Sequence, residues 1–202
     1  MKSDIILSGV GGQGIVSIAA TIAMAALDNN LNIKQSEVHG MSQRGGAVYS
    51  HLRISDKEIS SDLIPMGTAD IIISVEPMES LRYLPWLKED GWLVTNSTPF
   101  INIPDYPDIK TLHSEIEKFT NHILINADEI ARQVKSPRSS NIVMLGAASP
   151  FLEIPIENFE QAIKKIFSRK GEKIVELNIE ALHAGREFSI AHRKENVSAQ
   201  LK

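Results

Sequence analysis

Two glycine-rich segments hold the residues best placed to do chemistry. The first, Gly9-Val-Gly-Gly-Gln-Gly14, has the spacing G-x-G-x-x-G. Gly9, Gly11, Gly12 and Gly14 let the chain turn tightly and approach a ligand, with Gln13 between them. Where a helix follows, its free N–H groups and the positive end of its dipole favour an anion such as a diphosphate. The plainer alternative is a close strand-to-helix turn with no ligand. The second segment, Gly40-Met-Ser-Gln-Arg-Gly-Gly46, embeds Ser42, Gln43 and Arg44 among glycines. Arg44 can make a forked contact with phosphate or carboxylate, and Gly45 and Gly46 keep the backbone clear of it. Alternatively, Arg44 pairs with a carboxylate of its own chain. The candidate cofactor-binding residues are therefore Gly9, Gly11, Gly12, Gln13, Gly14, Ser42, Gln43, Arg44, Gly45 and Gly46. No residue is assigned as catalytic or metal-binding.

Other chemistries fail on residue type or spacing. The first segment lacks the Lys-Ser/Thr with which a P-loop reaches phosphate and magnesium, and Gly40 to Gly45 is one residue too long for a nucleophile elbow around Ser42. The six histidines show no H-E-x-x-H spacing, and only His39 stands close to both segments. Cysteine is absent. That excludes disulfides, thiolate nucleophiles, Cys-ligated zinc and any iron–sulfur cluster held wholly by this chain. Lys and Arg number 21 against 25 Asp and Glu, a net charge of -4, so nothing favours binding to nucleic acid. The apolar run that starts at Ile5 is broken by Ser8 and Gly9, too short for a signal core or a membrane span. A soluble, cytoplasmic protein is expected.

The elements that must position these residues follow from the apolar pattern. With 202 residues, 43% of them apolar and 23% charged, one core is expected. Asp4 to Val10 reads as a strand buried on both faces, and Ile15 to about Leu27 as a helix of small and aliphatic residues. Asn32 to Val38 reads as a second strand completing a βαβ crossover. Ala47–Ile54 and Lys57–Ser60 read as a hairpin around Ser55-Asp56. Strands follow at Ile71–Val75, Trp92–Thr95 and His122–Asn126. A helix starts at Pro77 and runs through Leu81, Leu84 and Leu87 towards Gly91. Thr98 to Lys110, punctuated by prolines, reads as an extended connection. Helices are expected at Ala127–Val134, Asn141–Ala148, over Ile156 to Phe167 with Pro155 near the start and Gly171 past the end, and from Glu172 to about Ala184. The outcome is an α/β domain over 1–190, three-layer α/β/α and loosely Rossmann-like, with a mostly parallel, mixed sheet and a tail over 191–202. The two glycine segments then lie at the C-terminal ends of adjacent parallel strands, where open α/β sheets bind ligands.

A dinucleotide site of the Rossmann kind needs an acidic residue ending the second strand, and Glu37 is near that place. It leads into a glycine loop instead of a second helix, which frames an adenosine pocket poorly. A free-standing NAD(P)- or flavin-binding protein is the alternative reading. An assembly or regulatory protein that kept the fold without the site is a third.

Gly9-Val-Gly-Gly-Gln-Gly-Ile15 followed by Glu37-Val-His-Gly-Met-Ser-Gln-Arg-Gly-Gly46 resembles the small gamma-type chain of the 2-oxoacid:ferredoxin oxidoreductases, and within them the arylpyruvate (indolepyruvate) branch. Asn141-Ile-Val-Met-Leu-Gly-Ala147 and Asn178-Ile-Glu-Ala-Leu-His-Ala-Gly185 extend the similarity over most of the chain. The resemblance implies a subunit that packs on a larger chain carrying thiamine diphosphate, its magnesium and iron–sulfur clusters. The complex would convert an arylpyruvate, coenzyme A and oxidised ferredoxin to an arylacetyl-CoA, carbon dioxide and reduced ferredoxin. This chain would hold no cofactor alone and would not be active alone. It would supply one wall of the site, the N–H groups of Gly11 to Gly14 and the Arg44 guanidinium facing an anion.

Overall fold

Isoleucine-rich segments with apolar side chains on both faces can be buried only as central strands covered from two sides. That is how they occur in the computed structural model, which describes the backbone of residues 1–39 and 45–200 and the side chains of 1–38 and 45–193. Six strands, β1 (Lys2–Val10), β2 (Asn32–His39), β3 (Ala47–Ser55), β4 (Ala69–Ser74), β5 (Leu87–Asn96) and β6 (His122–Ile125), form one sheet in the order β2-β3-β1-β4-β5-β6. β1, β4, β5 and β6 run parallel, whereas β3 is antiparallel to both β1 and β2. Ile5 and Leu7, Ile71 and Ile73, and Val94 face one core; Ile6, Ile72 and Leu93 face the other. Each fully buried aliphatic side chain of this kind contributes about 1.5–3 kcal/mol.

The first core is covered by α1 (Ile15–Leu27), α4 (Ala127–Gln133), α5 (Ser140–Ala148), α6 (Ile156–Phe167) and α7 (Glu172–Gln200), the second by α2 (Pro77–Arg82) and α3 (Ile109–Glu117). The expected three-layer α/β/α arrangement with a mostly parallel, mixed sheet is therefore found. The tightest packing is between α5 and α7. A Cβ on Gly146 would lie 2.0 Å from the Leu182 carbonyl oxygen, and one on Gly185 would lie 2.0 Å from that of Val143. The two helices touch backbone to backbone, and only glycine fits at the crossing.

Several boundaries differ from expectation, each for a physical reason. β2 is not the neighbour of β1: β3 lies between them, so the first unit is not a simple βαβ crossover. The hairpin is made by β2 and β3, paired from Asn32↔Ser55 to His39↔Val48, and Lys57–Ser60 forms no strand. The helix from Pro77 stops at Arg82, because Pro85 has no N–H to give and its ring disfavours helix before it. Leu84–Trp86 make a 3-10 turn and β5 begins at Leu87. α3 was not expected; Asp108 caps it by accepting the Thr111 N–H at 3.0 Å, and Leu112 and Ile116 are buried. α7 does not end near Ala184 but continues to Gln200. Gly185, which looks like a stop, is instead the point of contact with α5.

Candidate functional site

At the C-terminal end of β1 the chain turns into α1 on one face of the sheet, and at the end of the adjacent parallel strand β4 it turns into α2 on the other. Such a divergence opens a crevice at the strand ends, the usual ligand position in open α/β sheets. The Gly9–Gly14 turn borders this crevice. Gly9 lies so close to Val75 that a Cβ would meet Val75 Cγ2 at 2.3 Å. Gln13 folds back into the turn: its Oε1 accepts the Val10 N–H at 2.8 Å, and its Nε2 donates to the Val75 carbonyl at 3.4 Å. The Gln13 side chain thus holds the turn in shape. Gly14 begins α1 in the left-handed conformation (φ 86°), and Asn141 of α5 donates to its carbonyl at 3.2 Å. No side chain caps α1 and no acidic residue lies in its first turn, so the positive end of its dipole is left for another anion.

The structure also brings the end of the second glycine segment to the first. The Gly11 N–H donates to the Gly46 carbonyl at 2.9 Å, and the Gly45 N–H to the Gly11 carbonyl at 3.4 Å. The two segments meet as expected, but by another route. β3 leaves Gly46 antiparallel to β1, with Ala47 opposite Val10. Ser42, Gln43 and Arg44 lie outside the described residues, as does the side chain of His39.

The turn separates two clefts. One, of about 340 Å³, runs from Gly12, Gly14 and Ser17 to Arg138, Lys170 and Asn178. Arg138 and Lys170 are exposed and unpaired with any carboxylate among the described residues, and the Lys170 ammonium sits 5.1 Å from the Phe167 ring centroid. The second cleft, of about 240 Å³, is apolar and lined by Val10, Ile15, Val16 and Val48. The first can receive a phosphate or carboxylate, with two cations and the N-terminus of α1 converging on it. Sequence reasoning missed Arg138 and Lys170. The signal available was a cation at each of two polar breaks, Ser136-Pro-Arg-Ser-Ser140 and Arg169-Lys-Gly171, that precede helices.

Glu37 does not occupy a dinucleotide position. It pairs with Ser50, and all of β3 separates β2 from the glycine turn on β1. Among the described residues, no three His, Asp or Glu side chains gather as metal ligands.

A family model described as pyruvate ferredoxin/flavodoxin oxidoreductase matches residues 4–188. The chain is 36% identical over 202 residues to indolepyruvate oxidoreductase subunit IorB of Archaeoglobus fulgidus, covering 96% of this chain and 98% of that one. A solved keto/oxoacid ferredoxin oxidoreductase gamma subunit from Geobacter sulfurreducens superposes with a TM-score of 0.68 at 28% identity, covering 94% of this chain and 99% of that chain. The 2-oxoglutarate:ferredoxin oxidoreductase of Magnetococcus marinus, solved with 2-oxoglutarate, coenzyme A and succinyl-CoA bound, has the same fold. Its TM-score is 0.76 at 24% identity, over 94% of this chain but 31% of that chain.

Proposed function

The chain belongs to the pyruvate ferredoxin/flavodoxin oxidoreductase family, and from that premise we propose that it is the small subunit of an indolepyruvate:ferredoxin oxidoreductase. Its relatives of similar length are named as subunits, and in the Magnetococcus protein the same fold takes up under a third of a longer chain. Both facts support a module that works beside others. The residues present do not fit the redox or thiamine cofactors: with no cysteine there are no thiolates for an iron–sulfur cluster, and no G-D-G with a downstream Asn-Asn places a magnesium diphosphate. Thiamine diphosphate and the clusters accordingly belong on a larger partner, which passes electrons to ferredoxin. The domain spans 1–190 and 191–202 extend it. No helix among the described residues is long and apolar enough to cross a membrane, and we place the complex in the cytoplasm.

The role of this chain is to bind and orient an anion. The observation that carries this reading is the cleft in which the uncapped N-terminus of α1, Arg138 and Lys170 converge beside the meeting point of the two glycine segments. The group that fits best is the diphosphate of coenzyme A. Its oxygens would accept from Arg138, Lys170 and those backbone N–H groups of the turn that are not already bonded, the Gly11 and Gln13 N–H groups being taken by the Gly46 and Val10 carbonyls. Arg44, outside the described residues, is the cation that the sequence assigns to the same anion. Arg44→Ala in the assembled complex should raise the apparent KM for coenzyme A about tenfold or more, without loss of folding. An unchanged KM in the assembled complex would contradict this role, and lost assembly would assign Arg44 to the interface instead.

A further inference from the structure

The segment 97–108 crosses from the end of β5 to α3 without helix or strand, and apolar burial does little to hold it: Phe100, Ile101 and Ile103 are exposed. What fastens it is a buried carboxylate. Glu76, fully buried just after β4, caps α2 by accepting the Glu79 N–H at 2.8 Å on Oε2. Its Oε1 accepts the Phe100 N–H at 3.3 Å and the Tyr106 hydroxyl. Among the described residues no Lys or Arg pairs with Glu76. A carboxylate taken out of water is costly unless its lone pairs are filled, and here two of its donors come from this one strap. At the crest of the strap, between these two pins, the Asn102 amide donates to the Gly45 carbonyl. Gly45 in turn is bonded to Gly11. Glu76 thus holds the strap at two points, and Asn102, joined to those points through the strap's backbone, ties it to the two glycine segments. Burial and the Glu76 carboxylate push the Tyr106 hydroxyl well above the ordinary tyrosine value, so it remains a donor at any physiological pH.

We propose that the strap 97–108 is a positioning element that sets the second glycine segment against the first, with Tyr106 and Asn102 as its positioning residues. Its effect on coenzyme A binding rests on the reading of the cleft given above. Its effect on the backbone of the glycine turn does not.

Two substitutions test this. Asn102→Ala removes the contact with Gly45, and Tyr106→Phe unpins the strap at a residue that makes no hydrogen bond to the described residues of either glycine segment. In the full chain, amide hydrogen exchange at Gly11 should accelerate about tenfold in each variant. The double variant should be no faster than Asn102→Ala alone, because both act through one link. In the assembled complex each variant should raise the apparent KM for coenzyme A about fivefold while kcat stays within about twofold. The proposal is overturned if Tyr106→Phe leaves Gly11 exchange at the wild-type rate, or if the two effects multiply. Exchange that behaves as expected, in a wild-type complex whose turnover does not depend on coenzyme A, would uphold the strap and overturn the reading of the cleft.

Discussion

Arg138 and Lys170 stand before α5 and α7, and neither has an acidic partner among the described residues. If their task is to hold a diphosphate, Arg138→Ala should weaken coenzyme A about tenfold, with Tm nearly unchanged, since an exposed side chain contributes little to folding. Titration of the complex with coenzyme A measures it. His51 makes a separate prediction. It is buried on β3, and its Nδ1 accepts the Ile64 N–H at 3.1 Å, which only the neutral ring can do. Burial, with a smaller push from Arg53 and against the pull of Asp62, holds its pKa below 6.5. The unfolded chain therefore binds a proton on the way down through pH 6.5 while the folded chain does not, so the contribution to stability is full above that pH and is lost below it. Tm should fall between about pH 7 and 5, and His51→Phe should flatten that slope; equal slopes would exclude His51 as the cause. At this scale the glycines were legible, because a turn that leads into a helix leaves few other residue choices. Arg138 and Lys170 were not, because no local spacing relates two cations that only the packing of α5, α7 and α1 brings to one cleft. Gln13 was legible as a member of the turn, but not the use of its amide to bind Val10 and Val75.

Among the elements, the α5–α7 crossing is the most sharply constrained. Gly185→Ala would press a methyl group onto the Val143 carbonyl and force the helices apart. The expected loss is about 1–3 kcal/mol, or a fall in Tm of several degrees for a chain of this size. Thermal unfolding would show it, and an unchanged Tm would mean the helices do not meet as described. Strands buried on both faces, such as β1 and β4, could be read from their isoleucine runs, and so could α6 from its helical spacing. Pairing could not. β2 is an edge strand with no fully buried residue among 32–38, which suits its polar run from Lys34 to Glu37, but no local pattern says that β3 is the strand it pairs with. The length of α7 was misread for a related reason. Glycine inside a helix lowers its intrinsic propensity, and the tertiary contact that selects it at position 185 is invisible locally.

For the whole molecule, the absence of cysteine and the presence of an anion cleft point the same way. On the proposed reading, a chain with an anion cleft but no thiolate for an iron–sulfur cluster supplies one part of a site. The relation to subunits of 2-oxoacid oxidoreductases agrees, and in the proposed complex a larger chain brings the rest. The most direct measurement compares the purified chain alone, the larger thiamine-diphosphate chain alone, and the two reconstituted, each given indolepyruvate, coenzyme A and oxidised ferredoxin. The account predicts ferredoxin reduction only in the reconstituted pair, at a rate that saturates with coenzyme A. Reduction by this chain alone, or an equal rate from the larger chain without it, would contradict the account.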